Sequence, residues 1–241
     1  MARSLGYPRR MVRILVIADE ESPSLHVQAL RDLAPDLVLA AGDLPWHYIE
    51  YVSSGVDVPV VFVPGNHDPA IEHVRRSRNG TYTSAGLPVD APRPRGATNA
   101  DQQVVLAAGL RIAGLGGCVR YKHGPNQYSQ RQYAWRARRL LRRARKDGPV
   151  DVLLTHAPPR GLGDGDDKPH EGIDALHTVL ERLEPTWHLH GHIHPYGQRM
   201  PDRQVGPTTI RNVIPWKLIE ITPKSGQVTE PGPRSGTMGS W

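Results

Sequence analysis

Apolar runs alternate with helical stripes along the first third of the chain. Residues 12–18, 37–41 and 58–63 are continuous runs of β-branched and other apolar side chains, each of strand length. Between the first two, Leu25, Ala29, Leu30 and Leu33 recur at helical spacing until Pro35 stops the pattern. A second helical stretch is expected over residues 45–53. Strand and helix patterns that alternate in this way signal βαβ units, so the sheet is expected to start out parallel.

The pattern lapses over residues 77–103, which are rich in Pro, Gly, Arg and Asn and read as a long loop. Residues 104–107 and 110–115 then read as paired strands with a turn near Gly109. Residues 129–147 read as a helix capped by Ser129, with Ala134, Ala137, Leu141 and Ala144, and Leu140 alongside, as its apolar stripe. Arg131, Arg136, Arg138, Arg139, Arg142, Arg143, Arg145 and Lys146 fill its other faces. A strand at 151–155, a helix at 173–183 and a strand at 186–190 follow. Short antiparallel strands are expected around 208–213 and 217–221. Residues 1–10 read as a flexible basic N-terminus, 11–222 as one domain, and 223–241 as a disordered Gly, Pro and Ser-rich tail.

Composition narrows the class. The chain has 241 residues, is 38% hydrophobic and 22% charged, and suits a globular protein with a substantial core. No apolar run approaches a membrane span, and residues 1–10 carry no apolar signal segment, so a cytoplasmic setting without membrane insertion is expected. Cys118 is the single cysteine and reads as a small buried residue. The net charge of +6 favours acidic partners, phosphorylated ones included. Nucleic acid is not the favoured partner. The arginine-rich helix reads as a solvated outer face, for want of an aromatic stacking platform among its arginines.

The chemistry lies where the strands end. Successive apolar strands run into Asp19 and Glu21, Asp43, Asn66 with His67 and Asp68, His156, and His192 with His194. Asp and Asn collect at ordinary turns, but turn propensity does not explain histidines at these positions. A glycine immediately precedes Asp43, Asn66 and His192, which lets the backbone turn sharply. Carboxylate, amide and imidazole donors suit a hard or borderline cation. The donors are too many for one tetrahedral ion. Two ions roughly 3.5–4 Å apart, bridged by a carboxylate, would account for the count and could clamp a phosphoryl group.

In this order, Asp19, Gly42-Asp43, Gly65-Asn66-His67-Asp68, His156 and Gly191-His192-Ile193-His194 resemble the calcineurin-like metallophosphoesterase family over residues 12–221. The resemblance implies a four-layer α/β/β/α sandwich with two central mixed sheets and a metal site at the strand-end loops. It implies that Asp19 and His194 bind a first metal, that Asp43 bridges, and that Asn66, His156 and His192 bind a second. It makes His67 a phosphate contact and leaving-group acid oriented by Asp68. The ions would be divalent or trivalent (Mn, Fe, Mg or Zn, with manganese favoured). The substrate would be a small phosphodiester or phosphomonoester, such as a cyclic nucleotide, cleaved by a metal-bound hydroxide.

One position departs from the family. Glu21 stands where its first motif carries a histidine, and its carboxylate is a candidate ligand of the first metal. The alternative is a solvent-facing Glu21 and a weak first position, which leaves room for a degenerate family member that serves as a metal-binding scaffold or regulatory binder. His188 and His190 are expected behind the site rather than in it. Tyr121, His123 and Asn126 lie on a loop that could overhang it.

Overall fold

The computed structural model describes residues 10–69 and 93–224, with the backbone of two short strands between them. In chain order the elements are β1 (Val12–Ile17), α1 (Val27–Leu33), β2 (Leu37–Ala40), α2 (Trp46–Gly55), β3 (Val60–Phe62), β4 (Val74–Ser77), β5 (Gly80–Thr83), β6 (Ala97–Asn99), β7 (Val104–Ala107), β8 (Leu110–Leu115), β9 (Cys118–Val119), β10 (Gln127–Tyr128), α3 (Gln130–Ala144), β11 (Val152–Thr155), α4 (Ala175–Leu183), β12 (Trp187–His190), β13 (Arg203–Val205), β14 (Thr208–Asn212) and β15 (Trp216–Ile221).

Two mixed sheets dominate. The first has the order β15-β1-β2-β3-β6 and the second β13-β14-β12-β11-β8-β7. Period-two alternation assigns each side chain of β1 to a layer. Ile14 and Val16 pack between the sheets with Leu110, Ile112, Val152 and Leu154. Leu15 and Ile17 pack outward with Leu30 of α1 and Tyr48 and Val52 of α2. The second sheet buries Ala113, Leu115 and Leu153 against Tyr133 and Leu140 of α3 and Leu176 and Val179 of α4. The result is the expected α/β/β/α sandwich.

The structure refines the reading at two places. The strands at 208–213 and 217–221 each run antiparallel to one neighbour, β13 and β1, and do not pair with each other. β14 runs parallel to β12 in the second sheet, whereas β15 returns antiparallel to β1 in the first. The second sheet is therefore mainly parallel, with antiparallel edges at β7 and β13. Periodicity along a strand reports which face is buried and does not name its partner. The stretch 77–103 is not loop throughout, since it contains β5 and β6, and β6 extends the first sheet beside β3. Residues 84–92 lie outside the described residues.

α3 begins where expected. The Ser129 hydroxyl accepts from the Gln132 N–H, and the Gln132 side chain accepts from the Ser129 N–H, a reciprocal cap worth about 1 kcal/mol. Its buried face is rotated from the expected stripe to Tyr133, Arg136, Ala137, Leu140 and Ala144. Arg136 is tolerated there because its guanidinium lies 2.7 Å from Asp101 and 3.8 Å from the Tyr128 ring centre. The helix does carry an exposed aromatic, Trp135, which the sequence reading passed over.

Of the expected flexible ends, residues 1–9 and 225–241 lie outside the described residues. The described margins are tied down. Arg10 pairs with Asp36 at 2.6 Å, and the Lys224 N–H donates to Asp151 at 2.6 Å. Among the described residues, no helix is long and apolar enough to cross a membrane.

Candidate metal centre

The C-terminal ends of β1, β2 and β3 in one sheet meet those of β11 and β12 in the other, in keeping with ligand binding beyond the carboxyl ends of parallel strands. Three chemistry-bearing residues there adopt left-handed backbone: Asp19 at φ 60°, Asp43 at 55° and His192 at 69°. Such residues cost about 1–2 kcal/mol each and cluster at functional sites. Gly42, before Asp43, meets the expected need for a sharp turn at φ 94°, whereas Gly65 and Gly191 answer a need for close approach. A Cβ on Gly65 would lie 2.0 Å from Asp43 Oδ1, and one on Gly191 would lie 2.1 Å from Asp19 Oδ2. The two carboxylates rest directly on neighbouring backbone.

Asp43, His156 and His192 present ligand atoms within 4.8 Å of one another. His156 is fully buried and spans the sheets. Its Nδ1 donates to the Ala41 carbonyl at 2.9 Å, which aims Nε2 at Asn66 Oδ1 (3.0 Å) and Asp43 Oδ2 (3.2 Å). A nitrogen facing two acceptor oxygens requires a cation between them, either a proton or a metal ion. In the metal-free protein the proton fills that place. Burial works to discharge His156, but Asp43 overrides it and raises the imidazole to about 10. Asp43 is pushed up by burial and drawn down further by His156, to about 2. His192 donates from Nε2 to the Pro169 carbonyl at 2.9 Å, which leaves Nδ1 as its ligand atom. Burial and the His156 charge hold His192 neutral, at about 3. The donor set fits a divalent cation.

Asp19 and His194 lie next to this cluster. The Asp19 carboxylate accepts the His192 N–H at 3.0 Å, and its Oδ1 lies 3.8 Å from His194 Nε2. Burial pushes the Asp19 carboxyl up to about 6, against partial relief from His156. The other nitrogen of His194 is held by Glu20 at 2.8 Å. Sequence reasoning missed Glu20. Its only signal was its place beside Asp19. Glu21 lies apart from the Asp43, His156 and His192 cluster in this structure. Its half-exposed carboxylate lies 3.7 Å from His47, because the left-handed turn at Asp19 delivers Glu20, not Glu21, to the His194 side.

His67 is two-thirds exposed, with Nε2 4.0 Å from Asp43 Oδ2 and its backbone N–H on Asp43 Oδ1 at 2.7 Å. Asp68 does not orient that ring. Its Oδ2 accepts the N–H groups of Gly65 (2.7 Å) and Asp43 (3.0 Å) and so locks the two metal loops together. Asn126 reinforces the lock by donating to the carbonyls of Gly65 and Asp68, while Tyr121 receives the Asn66 amide at 3.4 Å. His123 is exposed at the loop tip. His170 belongs to no motif in the sequence. Its ring sits 5.6 Å from that of His192, brought there by a loop with no periodic signature. His188 and His190 are buried behind the site as expected. Burial raises the Cys118 thiol to about 12, which makes it inert.

A family model described as calcineurin-like phosphoesterase matches residues 12–196. The chain belongs to the calcineurin-like phosphoesterase family. The matched stretch includes every residue of the cluster. UPF0046 protein T07D4.2 of Caenorhabditis elegans is 47% identical over 47 residues, 19% of this chain and 12% of that protein. UPF0046 protein C25E10.12 of the same organism is 44% identical over 52 residues, 19% of this chain and 18% of that protein. The chain thus matches less than a fifth of either relative's length. The crystal structure of TT1561 of Thermus thermophilus superposes with a TM-score of 0.54 and 16% identity, over 83% of this chain and 88% of that one. Another crystal structure superposes at 0.57 with 14% identity, over 88% and 99%. At such identities these likenesses speak to the fold alone.

Proposed function

We propose that the chain hydrolyses phosphate esters at a dinuclear metal centre. The observation that carries this reading is the Asp43–His156–His192 cluster, whose ligand atoms converge from both sheets. In this reading Asp43, Asn66, His156 and His192 would hold one ion, and Asp19 and His194, with Asp43 shared, would hold the other. The ions, when bound, supply Lewis acidity and an activated water.

The protein's own groups do the rest. Asp68 and Asn126 hold the Asn66–His67 turn against Asp43. Glu20 sets the ring of His194. His67, exposed at the mouth, contacts the phosphoryl oxygens and donates a proton to the departing oxygen. The mixed oxygen and imidazole donors favour manganese first. Small diesters, cyclic nucleotides included, are the favoured substrates. Turnover of bis-p-nitrophenyl phosphate and p-nitrophenyl phosphate by manganese-loaded protein tests the reading, and no turnover at full loading contradicts it.

One observation favours a second reading. With Glu21 turned toward His47, the first position has fewer ligands than the second. A chain that loads one ion and hydrolyses neither ester would be a metal-binding scaffold.

A further inference from the structure

The outer face of α3 has no role in the metal centre or the core. The helix contains no acidic residue from Gln130 to Ala144. Arg131, Trp135, Arg138, Arg142 and Arg145 follow one another at steps of four and three, so they form one straight stripe about 21 Å long. All five are exposed. None of these arginines forms an ion pair among the described residues, whereas Arg136 is buried on Asp101 and Arg143 donates to the Gln102 carbonyl. Trp135 is 53% exposed, and the Arg139 guanidinium lies over its ring, 4.6 Å from the ring centre, adding a cation against the indole face. Like charges three and four apart weaken a helix, and a half-exposed indole does not serve the core. Folding alone accounts for neither.

We propose that this stripe binds single-stranded nucleic acid. Arginine forks grip phosphates in pairs of hydrogen bonds, and an indole face is a sequence-tolerant stacking platform for a base. The placement is directional. α3 starts directly after β10, and the loop before it carries Tyr121 and Asn126 into the metal centre. Arg131 therefore lies at the end of the stripe nearest the site and Arg145 at the far end. A strand held along it would approach the centre end-on. That last step rests on the hydrolytic reading, but the binding itself does not.

The test is fluorescence anisotropy of a labelled 20-nucleotide oligouridine with the full chain in chelator, where hydrolysis is blocked. Binding should weaken steeply as salt rises. Trp135→Ala should weaken it about tenfold or more, and Arg138→Glu with Arg142→Glu should abolish it. Thermal melts equal to wild type would show that these exposed changes spare the fold. Loss of hydrolysis with binding retained would break the proposed function and leave the stripe standing. Three results would overturn the stripe: no salt-sensitive binding, unchanged affinity in Trp135→Ala, or binding to phosphatidylserine vesicles without binding to the oligonucleotide.

Discussion

The two halves of the metal centre are built differently. The half around Asp43 is buried, draws on both sheets, and has every donor aimed by a second contact. His156 is set by the Ala41 carbonyl, His192 by the Pro169 carbonyl, and Asp43 by the backbone of His67. The half around Asp19 has one buried carboxylate, a partly exposed His194 and a half-exposed Glu20. In the metal-free protein the imidazole of His156 balances Asp43 and holds its carboxyl down at about 2, while burial lifts that of Asp19 to about 6. The second position is thus held by more fixed contacts than the first. Preorganised ligands bind more tightly because less order is imposed on binding, so the Asp43 half is expected to load first and hold its ion longer.

The largest effect should come from removing the bridge or the spanning histidine. Asp43→Asn or His156→Ala should lower metal affinity at the second position by about a hundredfold or more and hydrolysis with it, read by metal analysis and ester turnover. A small effect would break the comparison.

Gly65→Ala should come next. Its Cβ would overlap Asp43 Oδ1, so the β2 and β3 loops must part. A loss of about 1–3 kcal/mol in denaturant unfolding is expected, together with metal release from the Asp43 half.

Acid should then destabilise the metal-free protein through the histidines behind that half. The Thr155 hydroxyl donates to the Ala157 carbonyl, so His188 must donate to it from Nε2. This leaves Nδ1 bare and buried, with no protein partner. Burial lowers His188 well below 6.5 and His190 to about 4. As pH falls through 6.5, the unfolded chain takes up protons that the folded chain refuses, so stability is lost from 6.5 down to about 4. His190 alone accounts for roughly 3 kcal/mol of this. Asp19, with its raised value, opposes the trend between about 6 and 3.8 as a single group. Melting temperatures in chelator that stay flat between pH 7 and 4.5 would contradict the assignment.

Glu20→Gln should weaken the first position by about tenfold while sparing the second, since it loosens only His194. The smallest effect is expected for Glu21→Ala. Metal content should be unchanged, because that carboxylate faces His47. Loss of one ion would restore Glu21 as a ligand.

The unequal legibility of the two halves has a physical origin. Asp43, Asn66, His156 and His192 follow apolar runs in a fixed order, so local pattern exposed them. The layers were legible for the same reason, since β1, β2, β3 and β11 are almost entirely buried runs. Glu20 and His170 were not, because a single left-handed residue and an aperiodic loop set their directions. The partners of β14 and β15 were hidden because the alternation along a strand carries no record of which sheet it joins. The motif at Asp68 suggested a side-chain partner, while its carboxylate takes backbone N–H groups in the structure.

The most direct measurement is metal stoichiometry taken with turnover on the same sample of manganese-loaded protein. The account expects two ions per chain, the Asp43 half filling first, with hydrolysis of bis-p-nitrophenyl phosphate rising as the second ion loads. A single ion per chain with full turnover, or two ions with none, would contradict it.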